Sequence, residues 1–199
     1  MNEPPTPQIR AFVAIDLPPA IKASLATTTQ ELQAKLTGPE YAWVLPNSIH
    51  LTLKFLGHVD ADRIPAIAEA LAGATKNVTP FNLRLEGAGT FPSGRRPNVI
   101  WAGLNGDLNA LFALRALVES ALADIRLSRE RLSFRPHLTL ARLRKRLPDG
   151  GVQALHQALT LVPQNTVEPF AVSEVRLIKS ELRPEGARYS ALGTAKLTG

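Results

Sequence analysis

Four histidines and no cysteine set the chemistry open to this 199-residue chain: thiolate nucleophiles, disulfides and cysteine-ligated zinc are excluded, and imidazole is left as the group that titrates near neutrality. Two of the histidines stand in matching surroundings. Ser48-Ile49 leads into His50-Leu51-Thr52-Leu53, and Arg135-Pro136 leads into His137-Leu138-Thr139-Leu140. On a β-strand residues i and i+2 point to one face. His50 then shares a face with Thr52, and His137 with Thr139, while the leucines turn the other way to bury. Two such strands facing one another line a single cleft with two imidazoles and two hydroxyls. With a reference pKa of about 6.5, one neutral and one protonated imidazole coexist near neutrality. The neutral one takes a proton from water and the protonated one gives a proton to a departing oxygen. The hydroxyls can hold non-bridging phosphate oxygens, where charge develops in the transition state. Such a set suits the opening of a cyclic phosphodiester by water and needs no metal. Each motif offers a single metal ligand where ion sites need three or four, and no G-x-S-x-G nucleophile elbow is present. His58 and His156 lack comparable flanks and read as surface residues.

The elements that must position these strands follow from periodicity. Ile9 to Asp16 is a short apolar run of buried-strand type, and Pro18-Pro19 opens a helix whose face carries Ile21, Leu25, Leu32 and Leu36 before Gly38-Pro39 stops it. A loop carrying Trp43 precedes a strand over Ile49 to Leu56, closed by Gly57. A second helix runs through Ile64, Ile67 and Leu71. Phe81 to Phe91 reads as a strand with a bulge or kink at Gly87 and Gly89. Pro92 to Asn98 is a loop, and Val99 to Gly103 a strand. A long helix from Leu108 to Ile125 has Asp107 as its expected cap. Ser133 to Leu143 is the second motif strand, followed by a basic turn from Arg142 to Arg146 and a helix near Val152 to Leu161. Phe170 to Glu181 and Arg188 to Leu192 close the chain as strands. Without a regular strand–helix alternation, the fold class is mixed α+β. Residues 1–8, polar and proline-rich, are expected to form a disordered tail ahead of one domain over 9–199.

Of all residues 45% are hydrophobic and 20% charged, with a mean hydropathy of -0.01, an ordinary globular balance. No apolar run approaches the roughly 18 residues needed to span a bilayer, and the N-terminus lacks the layout of a signal peptide. A cytoplasmic setting fits this composition. The net charge of +6 and isoelectric point near 10.1 favour a polyanionic partner.

The echo between the halves, with its flanks, resembles the two-histidine (2H) phosphoesterase superfamily, and within it the bacterial RNA 2′,3′-cyclic phosphodiesterases, also called 2′-5′ RNA ligases. The segments that carry the resemblance are FVAIDLP from Phe12, SIHLTLKFLG from Ser48, Trp101-Ala102-Gly103, FRPHLTLAR from Phe134 and SEVRLIKSELRPEGARY from Ser173. They span most of the chain. The resemblance implies two pseudo-twofold-related lobes, each an antiparallel sheet with helices, and a catalytic cleft between them. It implies hydrolysis of 2′,3′-cyclic phosphate RNA ends, or of cyclic nucleotides, to 2′-phosphomonoesters. No cofactor or metal is implied, and a monomer suffices because one chain holds both motifs. By the same resemblance His50 is the proton donor, His137 the proton acceptor, and Thr52 and Thr139 grip the phosphate. Arg135 and Lys54 have the strand parity of the motif residues and are candidate phosphate contacts, Lys54 equally a solvated strand end. Phe12, Trp43 and Tyr189 are candidates for stacking on a base. Arg95-Arg96 and the run Arg142, Arg144, Lys145, Arg146 are candidate RNA-backbone patches. The alternative is a basic RNA-binding module without turnover, which accounts for the charge but gives no role to the paired motifs.

Overall fold

The computed structural model describes residues 6–130, 132–160, 162, 168–183 and 186–199. Two antiparallel sheets organise it. The first, of four strands, runs β3 (His50–Asp60), β1 (Gln8–Asp16), β8 (Glu174–Arg183), β9 (Gly186–Lys196). The second, of five strands, runs β2 (Tyr41–Trp43), β6 (Leu138–Leu143), β5 (Val99–Gly106), β4 (Phe81–Phe91), β7 (Phe170–Val172). The expected α+β class is therefore what forms, with one sheet per lobe. The motif strands occupy corresponding places, β3 beside β1 and β6 beside β5, and β3 and β6 meet where the lobes adjoin.

Helices α2 (Ile64–Thr75) and α3 (Leu108–Asp124) cover the four-stranded sheet, while α4 (Gly151–Thr160) lies on β4 and meets α1 (Pro19–Lys35). The expected stripe of α1 is buried at Ile21, Leu25 and Leu32; on α3 Leu111 and Leu122 are buried as expected, but Leu114 and Val118 complete the buried face and Phe112, expected on it, is exposed. Pro19 opens α1, where a missing N–H costs nothing. One apolar core runs through both lobes. A much smaller cluster of Phe12, Ala14 and Ile178, with Tyr189 against it, lies on the opposite face of β1. Burial on both faces explains why β1 reads as an unbroken apolar run.

Several boundaries depart from periodicity. Gln8, expected in the tail, already pairs with Asp60; residues 1–5 lie outside the described residues. Trp43 sits on a strand, β2, which pairs with β6, and not in a loop. β3 does not stop at Gly57 but continues to Asp60, with His58 exposed beside Arg10. The second motif strand begins at Leu138; from Ser133 to His137 the chain lies outside the ladder, because Pro136 has no N–H to give it. The run from Phe170 divides at Ser173, β7 pairing with β4 and β8 with β1, so one apolar stretch serves both sheets. Asp107 stands at the start of α3 without capping it: its carboxylate accepts the Asn82 backbone N–H at 2.9 Å and ties α3 to β4. Gly87, at φ +73°, marks the bulge in β4. Gly89 has another purpose, since a Cβ there would stand 2.4 Å from the Trp101 ring lying across it.

Candidate active site

Each motif is built by the same local device, an interrupted strand. In β3, Ala14 faces Thr52 and Val13 faces Lys54, so Leu53 is an extra residue in the ladder. In β6, Trp101 faces Thr139 and Ile100 faces Ala141, so Leu140 is the extra residue. An inserted residue reverses the alternation beyond it. Two successive side chains therefore enter the core in each strand, Leu53 with Lys54 and Leu140 with Ala141. The cleft face resumes five residues after each histidine, at Phe55 and at Arg142.

This parity change corrects the reading of Lys54, which is neither a phosphate contact nor a solvated strand end. It is 2% exposed. Its ammonium donates to Glu119 Oε2 at 2.9 Å and to the Ser128 carbonyl at 2.7 Å. A charge so deep requires partners on every side, and α3 provides the carboxylate.

The two imidazoles are oriented identically. His50 Nδ1–H donates to the carbonyl of Ser48 at 2.8 Å, and His137 Nδ1–H donates to the carbonyl of Arg135 at 2.7 Å. Both bonds reach back two residues, and a carbonyl can only accept. The proton is thereby held on Nδ1, which leaves Nε2 of each ring as the nitrogen that exchanges protons. Arg135 thus contributes through its backbone. Its exposed guanidinium lies 5.8 Å from the centre of the Phe91 ring.

Aromatic rings fix the imidazole planes. Phe12 stacks beneath His50 at 4.6 Å between ring centres, and Tyr189 meets the same imidazole edge-on at 5.1 Å. Phe91 meets His137 edge-on at 5.0 Å and leans on Trp101 at 5.1 Å. At 4% exposure Phe12 has no free face for a base, so it supports the histidine and does not stack on substrate. Phe55, 55% exposed and 6.3 Å from Phe12, is the aromatic that stays open on this face. Trp43 is half-buried against the core, stacked with Tyr41 at 5.8 Å. Sequence reasoning misses Phe55, Phe91 and Arg142 as cleft residues. Arg142 reads there only as part of a charge run, and the signal that would have found it is its match to Phe55, five residues beyond the motif histidine.

Electrostatics differ between the two rings. Burial pushes the His50 imidazole below its usual pKa, opposed in part by the Ser48 hydrogen bond and the Asp16 carboxylate and reinforced by Lys22 and Arg142. Asp16 is itself held by Lys22 and by Arg176, both at 2.7 Å. The charge of Arg142, a residue of β6, acts on both His50 of β3 and Tyr189 of β9, and β3 and β6 are in contact where the lobes adjoin. Burial also lifts the Tyr189 phenol above its ordinary value, so near neutrality it remains an O–H donor. Among the described residues no three of His, Cys, Asp and Glu converge as a metal-ligand set, and no helix is long and apolar enough to cross a membrane.

The sequence profile of the LigT-like phosphoesterases matches residues 15–101 and 104–189, one stretch for each half of the chain. An RNA 2′,3′-cyclic phosphodiesterase of Aeropyrum pernix is 34% identical over 162 residues, covering 80% of this chain and 88% of the relative. The enzyme of the same name from Thermus thermophilus is 34% identical over 200 residues, covering 96% of this chain and 91% of its own. The crystal structure of E. coli LigT complexed with 3′-AMP superposes with a TM-score of 0.72 at 26% identity, over 97% of this chain and 100% of that one.

Proposed function

The chain belongs to the LigT-like phosphoesterase family, and we propose that it hydrolyses RNA 2′,3′-cyclic phosphate ends to 2′-phosphomonoesters, without a metal, through His50 and His137. The observation that carries this reading is the pair of Nδ1–H bonds to the carbonyls of Ser48 and Arg135, which leaves two Nε2 atoms free for proton transfer. His137 Nε2 takes a proton from water as the water oxygen bonds to phosphorus. The bond from phosphorus to the 3′-oxygen breaks, and His50 Nε2–H delivers its proton to that oxygen. Proton exchange with solvent restores both rings. Thr52 and Thr139 hold the non-bridging oxygens, with the Arg142 guanidinium on the same face to balance their growing charge. An RNA 5′-hydroxyl in place of water gives a 2′-5′ linkage by the same transfers. Since one chain holds both motifs, a monomer completes the site.

The test is incubation of a 2′,3′-cyclic nucleotide, and of a short oligoribonucleotide with a cyclic phosphate end, in EDTA, with products read by phosphorus NMR. A 2′-phosphomonoester is the expected product from both. A 3′-phosphate reverses which oxygen leaves. Failure of both substrates to react overturns the reading in favour of the basic RNA-binding module.

The depressed pKa of His50 adds a condition. A histidine whose pKa lies below about 6.5 is mostly neutral at pH 7, the wrong form for a proton donor. A phosphate anion in the cleft favours the charged ring and raises the pKa again. In a proton NMR titration, His50 is expected to titrate below the usual histidine value in the free protein, and at distinctly higher pH with a saturating 2′-phosphomononucleotide. An unchanged midpoint on binding would remove His50 from the donor role.

A further inference from the structure

The two arginine-rich segments of the sequence, 95–96 and 144–146, fold into one place. They line a groove of about 450 Å³ formed by the loop between β4 and β5 and the turn that follows β6. The backbone holds the segments together: Leu143 N–H donates to the Asn98 carbonyl at 2.9 Å, Asn98 N–H to Phe91 at 2.7 Å, and Arg144 N–H to Glu40 at 2.8 Å. Arg95, Arg96, Arg144, Lys145 and Arg146 face this space, and no carboxylate lines it. Among the described residues the ion pairs engage Lys22, Lys54, Arg84, Arg115, Arg176, Lys179 and Arg183, and none of these five.

Five cations lining one groove without a carboxylate among them repel one another and gain nothing from folding. Their charge is neutralised only by an anion from outside. The groove is open, with more than one phosphate's worth of room, which suits a chain of phosphates better than a single one. It also adjoins the cleft. Asn98, in the groove's lining, donates to the carbonyl of Phe91, whose ring meets His137 edge-on at 5.0 Å. The groove therefore begins one residue away from the ring that positions the second motif histidine.

We propose that this groove binds the phosphate backbone of the RNA strand whose 3′ end occupies the cleft, so that the protein distinguishes an oligonucleotide end from a free cyclic nucleotide. The proposal rests on the cleft function given above. It assigns to the groove the nucleotides just upstream of the cyclic phosphate, read through their charge and not their bases.

Two variants test it, Arg144→Gln/Lys145→Gln/Arg146→Gln and Arg95→Gln/Arg96→Gln. Each is assayed for kcat/KM on a cyclic-phosphate-ended oligoribonucleotide and on a 2′,3′-cyclic mononucleotide over a range of salt. Binding of a fluorescent oligoribonucleotide is followed in parallel. The triple variant should lose about tenfold or more in kcat/KM on the oligonucleotide, with the mononucleotide value unchanged. The slope of log affinity against log salt should flatten by about 0.7 for each RNA phosphate that the variant no longer neutralises. Equal losses on both substrates, no loss on either, or an unaltered salt slope would each overturn the groove assignment. Should the wild-type protein turn over neither substrate, the cleft reading falls by itself, and the binding slopes still decide for or against the groove.

Discussion

Alanine in place of His50 or of His137 is expected to cut turnover of a 2′,3′-cyclic nucleotide by about a hundredfold or more, the usual scale for losing a general acid or base. That factor corresponds to roughly 2.7 kcal/mol of transition-state stabilisation. The two losses should not add in the double variant, because each proton transfer is useful only when the other occurs. His50→Ala also uncovers Phe12, on which the imidazole stacks at 4.6 Å, so a control must separate chemistry from packing. His50→Gln keeps most of the cover over Phe12 without a group that titrates near neutrality. It should melt close to the wild type and still lose the activity. A glutamine variant with near-normal turnover would show that His50 supports the site without donating a proton, and a near-normal His137→Ala would exclude His137 as the base.

The largest effect on stability is expected at Lys54. Removing one member of a buried ion pair strands the other, at a cost of about 3–5 kcal/mol. Lys54→Ala leaves the Glu119 carboxylate beneath β3 without the ammonium at 2.9 Å and leaves the Ser128 carbonyl without its donor. Arg115, 3.2 Å from the other Glu119 oxygen, compensates only from one side. For a chain of this size a loss of that order lowers the melting temperature by roughly 10 °C. Replacing both partners, Lys54→Met with Glu119→Leu, should recover a good part of it, since Arg115 keeps Glu130 at 3.4 Å and no charge is left unpaired. Below its melting transition the single variant should keep most of its activity on a cyclic mononucleotide, because Lys54 points away from the cleft. A melting temperature within about 2 °C of the wild type would refute the account of this pair.

The reaction-bearing residues were legible because their signal is local. Periodicity two places His50 with Thr52 and His137 with Thr139 from the sequence alone, and the repetition of the motif implies two lobes sharing a cleft. The helices were legible for the same reason, each carrying its own apolar stripe. The membership of the family was legible from motif and flanks together.

What the sequence could not decide were the properties that depend on pairing between distant segments. Nothing local announces that Leu53 and Leu140 stand outside the ladder, because an extra residue exists only relative to the partner strand. The shift in β3 sends Lys54 inward to Glu119 and turns Phe55 to the face of His50, and the shift in β6 turns Arg142 to the face of His137 in the same way. Phe12 reads as a stacking platform until the imidazole of His50 is found lying on it. Arg95-Arg96 and Arg144 to Arg146, about fifty residues apart in the chain, become one groove only when β5 and β6 pair. The sequence by itself determined which groups could exchange protons and on which local face they stand, since side-chain alternation is a property of one strand. The tertiary structure alone decided which groups support them, which is buried, and where the free positive charge collects, since register and burial belong to contacts between segments that the linear order does not join.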